Sequence, residues 1–243
     1  MAEGPRYRDY LCLHLSKMTI LYVNGDSHSA GAEAVNDYCF AEDDRAYYAL
    51  GRAPHPDNLK ASYGCSIANE LYAILHCDAE SASSNSRIIR TTKEYLTEFT
   101  PDAVVIGWST WERQEWLHDN VYWQVNAGGV GHDWPDTIKE RYKEYIVDLD
   151  WDSAEQQAHK DIYELHTELL DLKIPHLFFN TFNHFNQAPK DWGNNYLSPY
   201  DPDLTYYKWL TNQGFKSKPS YHFGADAHKK WAEFLLPHLT QLL

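Results

Sequence analysis

Short apolar segments alternate with helix-like segments along this chain, and this alternation most restricts how it can fold. Four apolar segments begin at Thr19, Ala73, Ala103 and Ile174, each bounded by polar or turn residues. They are apolar almost throughout, which is typical of strands buried on both faces of a sheet. The pattern predicts the α/β class, as a three-layer α/β/α sandwich with a parallel sheet. The predicted strands are 19–24, 73–79, 103–107 and 174–180, and the predicted helices lie near 61–71, 84–99, 138–147, 153–172, 203–212 and from about 224 onwards.

The domain organisation is predicted to be simple. Residues 18–243 contain neither an internal repeat nor a low-complexity linker, so we expect a single domain there. Residues 1–17 form an N-terminal extension with two arginines and a short apolar patch, too short and interrupted for a secretory signal. Met18 directly precedes the first strand. The extension is therefore either a leader upstream of a start at Met18 or an N-terminal arm, and both readings stay open.

Composition excludes several classes of function. The formal net charge is −14 and there is no basic cluster, which disfavours nucleic-acid binding. No apolar stretch approaches the ~20 residues that a membrane span needs. The thirteen histidines include no HExxH or paired Cys/His spacing, so neither a metal nor another cofactor is expected. The four cysteines lack CxxC spacing and indicate a reduced, cytoplasmic protein; they are Cys12, Cys39, Cys65 and Cys77.

Two sequence blocks carry the candidate chemistry. In an open parallel sheet, reactive groups gather at the carboxyl ends of the strands. Gly25-Asp26-Ser27 follows the first strand, which places Ser27 at a strand-to-helix turn with its N–H free to point at an oxyanion. Taken alone, Gly-Asp-Ser is also an ordinary turn. Near the C-terminus, His222 opens the last helix, with His228 six residues on and Trp231-Ala232 on the buried face.

Together, Gly25-Asp26-Ser27 and His222…His228-x-x-Trp231-Ala232 resemble the first and last blocks of the SGNH/GDSL hydrolase superfamily. The resemblance extends by element order over most of residues 18–240, although fewer than a dozen residues carry it. It implies a flavodoxin-like sandwich and hydrolysis of an acyl ester. It also implies that Ser27 is the nucleophile, that His222 is its base and that His228 is structural.

The middle blocks of the family are only partly kept. The family has a glycine after the second strand whose N–H serves the oxyanion hole, and Ala82 or Ser83 stands there in this chain. After the third strand the family has Gly-x-Asn, where this chain has Ser109 in place of the asparagine. The Ser109 hydroxyl is on a shorter side chain than the family's asparagine amide. Asn85 is an alternative source of an amide donor to the oxyanion. Losing one oxyanion donor typically costs ~10²–10³ in rate.

The third member of the triad is missing from its usual position. The family places an aspartate three residues before the histidine, and this chain has Pro219 there. Either a backbone carbonyl within 218–220 or a carboxylate from Asp201 or Asp203 is therefore expected to orient the His222 ring. A Ser–His dyad is chemically possible because the acid mainly fixes the tautomer and orientation of the histidine.

The expected function is a serine esterase acting on a small-molecule or carbohydrate ester, with acetylated carbohydrate favoured. Two long loops rich in aromatic residues are expected to cover the cleft and set specificity. The alternative is an SGNH-shaped binding or structural protein with weak or lost catalysis, which Pro219 and Ser109 favour. The aromatic and glycine positions in those loops are Trp123, Gly128-Gly129, Trp134, Trp192 and Tyr200.

Overall fold

The computed structural model describes residues 19–127 and 134–243, and its central element is a parallel sheet. The strand order is β2-β1-β3-β6, and all three pairings are parallel. These are the four strands that the apolar segments predict. Their bounds are β1 Ile20–Gly25, β2 Ile74–Cys77, β3 Ala103–Trp108 and β6 His176–Asn180.

Helices cover both faces of this sheet. Several of these helices begin at a polar side chain that caps the first turn. Ser84 caps the helix that begins at Asn85 by accepting from the N–H of Arg87, and Asp150 caps the helix that begins at Trp151. The helices are α1 Pro56–Lys60, α2 Tyr63–Glu70, α3 Asn85–Glu98, α4 Asp136–Val147, α5 Trp151–Asp171, α6 Tyr206–Asn212 and α7 Ala225–Thr240. The chain therefore has the predicted α/β fold.

Two apolar clusters form the cores between the sheet and the helices on its two faces. Alternate residues of a strand point to opposite faces, so Leu21 and Val23 join α2, α6 and α7 in one cluster. Tyr22, between them, joins α3 and α5 in the other cluster. Strands β1, β3 and β6 are buried on both faces, which explains why their sequences are largely apolar rather than alternating.

The carboxyl ends of β1 and β3 approach each other closely, and glycine makes this possible. Gly25 pairs with Gly107 in the register of the two strands. Gly25 has φ +150°, and a Cβ there would lie 2.1 Å from the Ser29 hydroxyl oxygen. A Cβ on Gly107 would lie 2.7 Å from the Phe179 ring. The turn after β1 is therefore packed directly against β3.

The segment after β3 contains a hairpin that the sequence analysis did not predict. Strand β4, Gln114–His118, pairs antiparallel with β5, Val121–Val125. Asp119 and Asn120 form the two-residue turn with φ of 50° and 60°, which is the backbone a tight hairpin needs. A third apolar cluster, which includes Trp116, joins the hairpin to α4.

Some expectations fall outside the described ranges. The N-terminal extension 1–17 and Gly128-Gly129 are among them. Within residues 19–127 and 134–243, no helix has the length and apolar character of a membrane span. Cys39, Cys65 and Cys77 are free thiols.

Candidate active site

The turn after β1 presents Ser27 at the carboxyl edge of the sheet, as predicted. Backbone bonds from the N–H of Ala30 to the Asp26 carbonyl, at 3.0 Å, and from Ala32 to Ser27, at 2.9 Å, shape the turn. Ser27 is largely buried, yet it lines a cavity of about 870 Å³. Within the described residues, the Ser27 hydroxyl forms no hydrogen bond with His222 or with any other residue. The hydroxyl is thus not held by the fold.

The carboxylate of Asp26, the residue before Ser27, is held by three neighbouring side chains. One carboxylate oxygen lies 3.0 Å from Nδ1 of His28, and the other accepts from Ser109 Oγ at 3.1 Å and from Arg113 Nη1 at 3.3 Å. Burial alone would raise the pKa of Asp26, but the His28 ring and the Arg113 guanidinium together hold it well below its usual range. Asp26 is therefore a buried anion with partners on both oxygens.

His222 lies in the loop before α7 and lines the same cavity as Ser27. Its Nδ1 is 3.0 Å from Oε2 of Glu33, and the Ser220 hydroxyl donates to the same oxygen. Burial lowers the pKa of His222 and the adjacent His28 lowers it further, whereas the hydrogen bond and charge of Glu33 oppose this. With Nδ1 held by a carboxylate, Nε2 is left as the proton-accepting nitrogen.

The carboxylate at His222 is thus Glu33 and not Asp201 or Asp203, which corrects the two acids proposed from the sequence. Asp201 instead caps a short 3₁₀ helix by accepting from the N–H of Asp203, and both are exposed. Asp201 and Asp203 lie near His222 in sequence. Glu33 is 189 residues away from it.

Hydrogen bonds tie the Glu33 segment to the His222 loop. The N–H of Ala225 donates to the carbonyl of Ala34 at 3.1 Å, and Lys218 Nζ donates to the carbonyl of Asn36 at 2.8 Å. Glu33 itself has φ 59°, a left-handed conformation that non-glycine residues adopt uncommonly. Such strain is retained where the surroundings enforce it, here at a residue that contacts the candidate base.

The backbone N–H groups of Ser27 and Ala82 face the cavity region without an acceptor among the described residues. Neither the N–H of Ser27 nor that of Ala82 donates a hydrogen bond to any residue that the structure describes, and both residues line the cavity. Ala82 has φ 69°. The N–H of Ser83 instead donates to the Glu80 carbonyl at 3.1 Å. Of the two alternatives left open after β2, the geometry favours Ala82.

Asn85 and Ser109, the side chains predicted as oxyanion donors, are bonded to groups within the fold, and neither lines the cavity. The Asn85 amide bonds both backbone groups of Ser109, accepting from the N–H at 2.9 Å and donating to the carbonyl at 3.2 Å. The Ser109 hydroxyl donates to Asp26. Arg113 donates to the Asp26 carboxylate and to the Ser109 hydroxyl, and it also lines the cavity. Asn85 and Ser109 therefore brace the turn, and Arg113 is the polar group from this block that reaches the cavity.

The two long loops differ in their relation to the cavity. The hairpin and the residues after it contribute Trp123 and Trp134 to the wall. Trp192 and Tyr200 are instead packed around His159 in the core, and Tyr200 accepts a hydrogen bond from the Trp192 indole at 2.8 Å. His228 is also buried in the core, stacked on Tyr63.

One group of side chains could hold a metal ion. Glu33, Cys39 and His222 each offer a ligand atom, and these atoms lie within 4.8 Å of one another. A thiolate, an imidazole and a carboxylate form a donor set that suits zinc. However, the carboxylate and imidazole of this set already bond each other, and burial raises the pKa of the Cys39 thiol to about 11, which leaves it protonated.

Comparisons with known proteins give matches in structure only. No family model and no curated protein matches the sequence. One similar structure is described as a carbohydrate esterase whose active site displays divergent catalytic and non-catalytic binding functions. It is 14% identical to this chain, the match covers 94% of this chain and 67% of that chain, and the TM-score is 0.50. The acetyl xylan esterase Est2A from Butyrivibrio proteoclasticus is 13% identical, with 92% and 64% covered and a TM-score of 0.47. TesA is 14% identical, with 93% and 100% covered and a TM-score of 0.41.

At these identities the likeness concerns the fold. The chain has the SGNH/GDSL hydrolase fold, as its first and last sequence blocks predict. It spans about two thirds of the length of the two esterases.

Proposed function

We propose that this chain with the SGNH/GDSL hydrolase fold is a serine esterase whose catalytic residues are Ser27, His222 and Glu33. The observation that carries the proposal is the contact between Glu33 and Nδ1 of His222 at the cavity that Ser27 lines. This contact supplies the acid that the sequence lacks at Pro219. The triad is thus completed by a glutamate from the other end of the domain.

In the first half of the reaction, Ser27 Oγ attacks the acyl carbon of the ester and its proton passes to Nε2 of His222. The N–H groups of Ser27 and Ala82 donate hydrogen bonds to the developing oxyanion. Glu33 holds the ring in one tautomer and stabilises the imidazolium. The carbon–oxygen bond to the alcohol then breaks, and His222 returns its proton to that oxygen, leaving an acyl group on Ser27.

In the second half, a water molecule attacks the acyl carbon and gives its proton to His222. The bond to Ser27 breaks, the carboxylic acid leaves and the serine regains its proton from His222. Arg113 lies on the cavity side of Asp26, where its positive charge lowers the electrostatic cost of an oxyanion nearby.

For the substrate class, we propose an ester of a carbohydrate. The residues that line the cavity include Tyr122, Trp123 and Trp134, and aromatic side chains are suited to contact with a sugar ring. The structure with the TM-score of 0.50 is itself described as a carbohydrate esterase.

A second candidate is a binding protein that uses the same cavity without efficient turnover. It is favoured by the absence, among the described residues, of a hydrogen bond between the Ser27 hydroxyl and His222. Catalytic hydrogen bonds are often long in unliganded sites, so this geometry is compatible with both functions. Turnover distinguishes the two.

We expect 4-nitrophenyl acetate to be hydrolysed by the wild-type chain, with a kcat/KM that increases with pH as His222 loses its proton. Because burial and His28 lower the pKa of His222, the midpoint of this increase should lie below the ~6.5 of a free imidazole. The measurement is the release of 4-nitrophenol and acetate across pH. The absence of turnover at every pH, with the protein folded, would favour the binding protein.

A further inference from the structure

Arginine is concentrated in one place in this acidic chain. Four of the six arginines in residues 19–127 and 134–243 line the candidate active-site cavity, and none of the twelve lysines in those ranges does. Only two carboxylates from the described residues line it with them, Glu80 and Glu115. The whole chain carries a net charge of −14, so a cavity lined by more arginines than carboxylates differs in composition from the rest of the chain. The four arginines are Arg52, Arg87, Arg90 and Arg113.

Two of these arginines share a single counter-ion. Glu80 Oε1 lies 2.8 Å from Nε of Arg52, and its Oε2 lies 2.8 Å from Nη2 of Arg87. One carboxylate between two guanidinium groups leaves one positive charge uncompensated. Arg90 differs, because it is paired with both Glu115 and Glu94. The unbalanced charge therefore lies on the Arg52–Glu80–Arg87 side of the cavity.

Arg52 has hydrogen-bonding capacity to spare. Only its Nε has an acceptor among the described residues, so both terminal NH₂ groups are free of protein partners there. Its guanidinium lies 4.0 Å from the centre of the Phe40 ring, which together with Glu80 holds the plane of the group in place. A planar guanidinium with two free NH₂ groups is suited to a bidentate oxyanion.

This wall adjoins the proposed acyl site. Ala82, whose free N–H lies at the cavity with Ser27, follows Glu80 by two residues. Cys39 and Phe40 line the cavity next to it, and the Ser81 hydroxyl donates to the Cys39 carbonyl at 3.1 Å. A ligand whose acyl group is at Ser27 therefore occupies the same cavity that Arg52 lines.

We propose that the ester this site hydrolyses carries an anionic group, a carboxylate, sulfate or phosphate, which Arg52 binds within the field of Arg87. The proposal rests on the proposed esterase function and names its substrate class more closely. A neutral ester would leave the Arg52 NH₂ groups to water, whereas an anionic one gains charge-assisted hydrogen bonds beside an uncompensated charge.

The test compares matched acetate esters that differ only in charge. The probes are methyl galactoside carrying one acetyl group, its galacturonic acid counterpart and its 6-sulfate counterpart. We expect kcat/KM for at least one anionic ester to exceed that for the neutral ester by about tenfold, the scale of one charge-assisted hydrogen bond. The sulfate and carboxylate arms identify which anion the site prefers.

Arg52→Gln should reduce the anionic-to-neutral ratio of kcat/KM toward one. Arg45→Gln is the matched control, because Arg45 is an exposed arginine from the same loop region that does not line the cavity, and it should leave the ratio unchanged. Equal kcat/KM for the neutral and both anionic esters would overturn the proposal, as would equal effects of the two substitutions on the ratio.

Binding separates a failure of this proposal from a failure of the esterase function. Calorimetry with the same three acetylated ligands and the Ser27→Ala protein needs no turnover. If no ester is hydrolysed but an anionic ligand binds more tightly than the neutral one in an Arg52-dependent way, the esterase function fails and the anion site stands. If turnover occurs without preference for charge, the anion site fails and the esterase stands.

Discussion

Ser27→Ala is expected to reduce ester hydrolysis by at least about 10³-fold, because the alanine removes the proposed nucleophile from the cavity that His222 and Ala82 also line. The thermal melting temperature should be nearly unchanged, since the Ser27 hydroxyl forms no hydrogen bond within the described residues that the alanine would lose. The measurement is kcat/KM for 4-nitrophenyl acetate together with a melting curve.

The matched control for this substitution is Ser81→Ala. Ser81 is also a largely buried serine that lines the cavity, but its hydroxyl donates to the Cys39 carbonyl. We expect this variant to keep most of the activity and to lose some stability. Activity that survives in Ser27→Ala at the wild-type level would place the nucleophile elsewhere.

Glu33→Gln is expected to reduce kcat by about 10²-fold or more. The amide can still bond Nδ1 of His222 but no longer stabilises the imidazolium, and it can hold the wrong tautomer; in a serine protease the corresponding change costs about 10⁴. The charge of Glu33 also raises the pKa of His222, so removing it should move the acid limb of the pH–rate profile to lower pH. A residue that served only to hold the loop would not shift this profile.

Asp201→Asn provides the control for Glu33→Gln. Asp201 is an exposed carboxylate that caps a 3₁₀ helix, so its amide variant should retain both kcat and the pH midpoint. An unchanged kcat and an unchanged profile in Glu33→Gln would show that the acid is not part of the mechanism. The site would then be a Ser–His dyad.

The sheet could be predicted from the sequence because burial on both faces leaves a direct trace in composition. Each of the four strands is an apolar run, and each is where the sequence places it within a few residues. The β4–β5 hairpin was not predicted because its aromatic residues, together with Gly128-Gly129 after it, resemble a loop. The available signal was Asp119-Asn120, a two-residue turn between two runs that each contain a tryptophan.

The site was predictable only in part. Ser27 and His222 follow or precede regular elements, and the structure brings both to one cavity. Glu33 could not be found by nearness in sequence, because the contact depends on the pairing of the 33–37 segment with the 218–225 loop. The choice of Ala82 over Ser83 depends on which N–H the Glu80 carbonyl accepts, a matter of local backbone geometry.

The roles expected for Ser109 and Asn85 show a further limit of position alone. Both occupy places where the family resemblance suggests an oxyanion donor. In the structure Asn85 bonds the backbone of Ser109, and the Ser109 hydroxyl donates to Asp26, while Arg113, four residues after Ser109, reaches the cavity. Sequence position correctly predicted that these residues lie at the carboxyl edge of the sheet, but it did not predict where each side chain points.

The most direct test of the triad is covalent labelling with diisopropyl fluorophosphate, followed by mass spectrometry of the digested protein. An activated serine reacts with this reagent and an ordinary one does not. We predict a single diisopropylphosphoryl adduct on the peptide that contains Ser27, lost in Ser27→Ala and strongly slowed in His222→Ala. A folded wild-type protein that remains unlabelled, or one labelled at another serine, would contradict the assignment of Ser27 as the nucleophile.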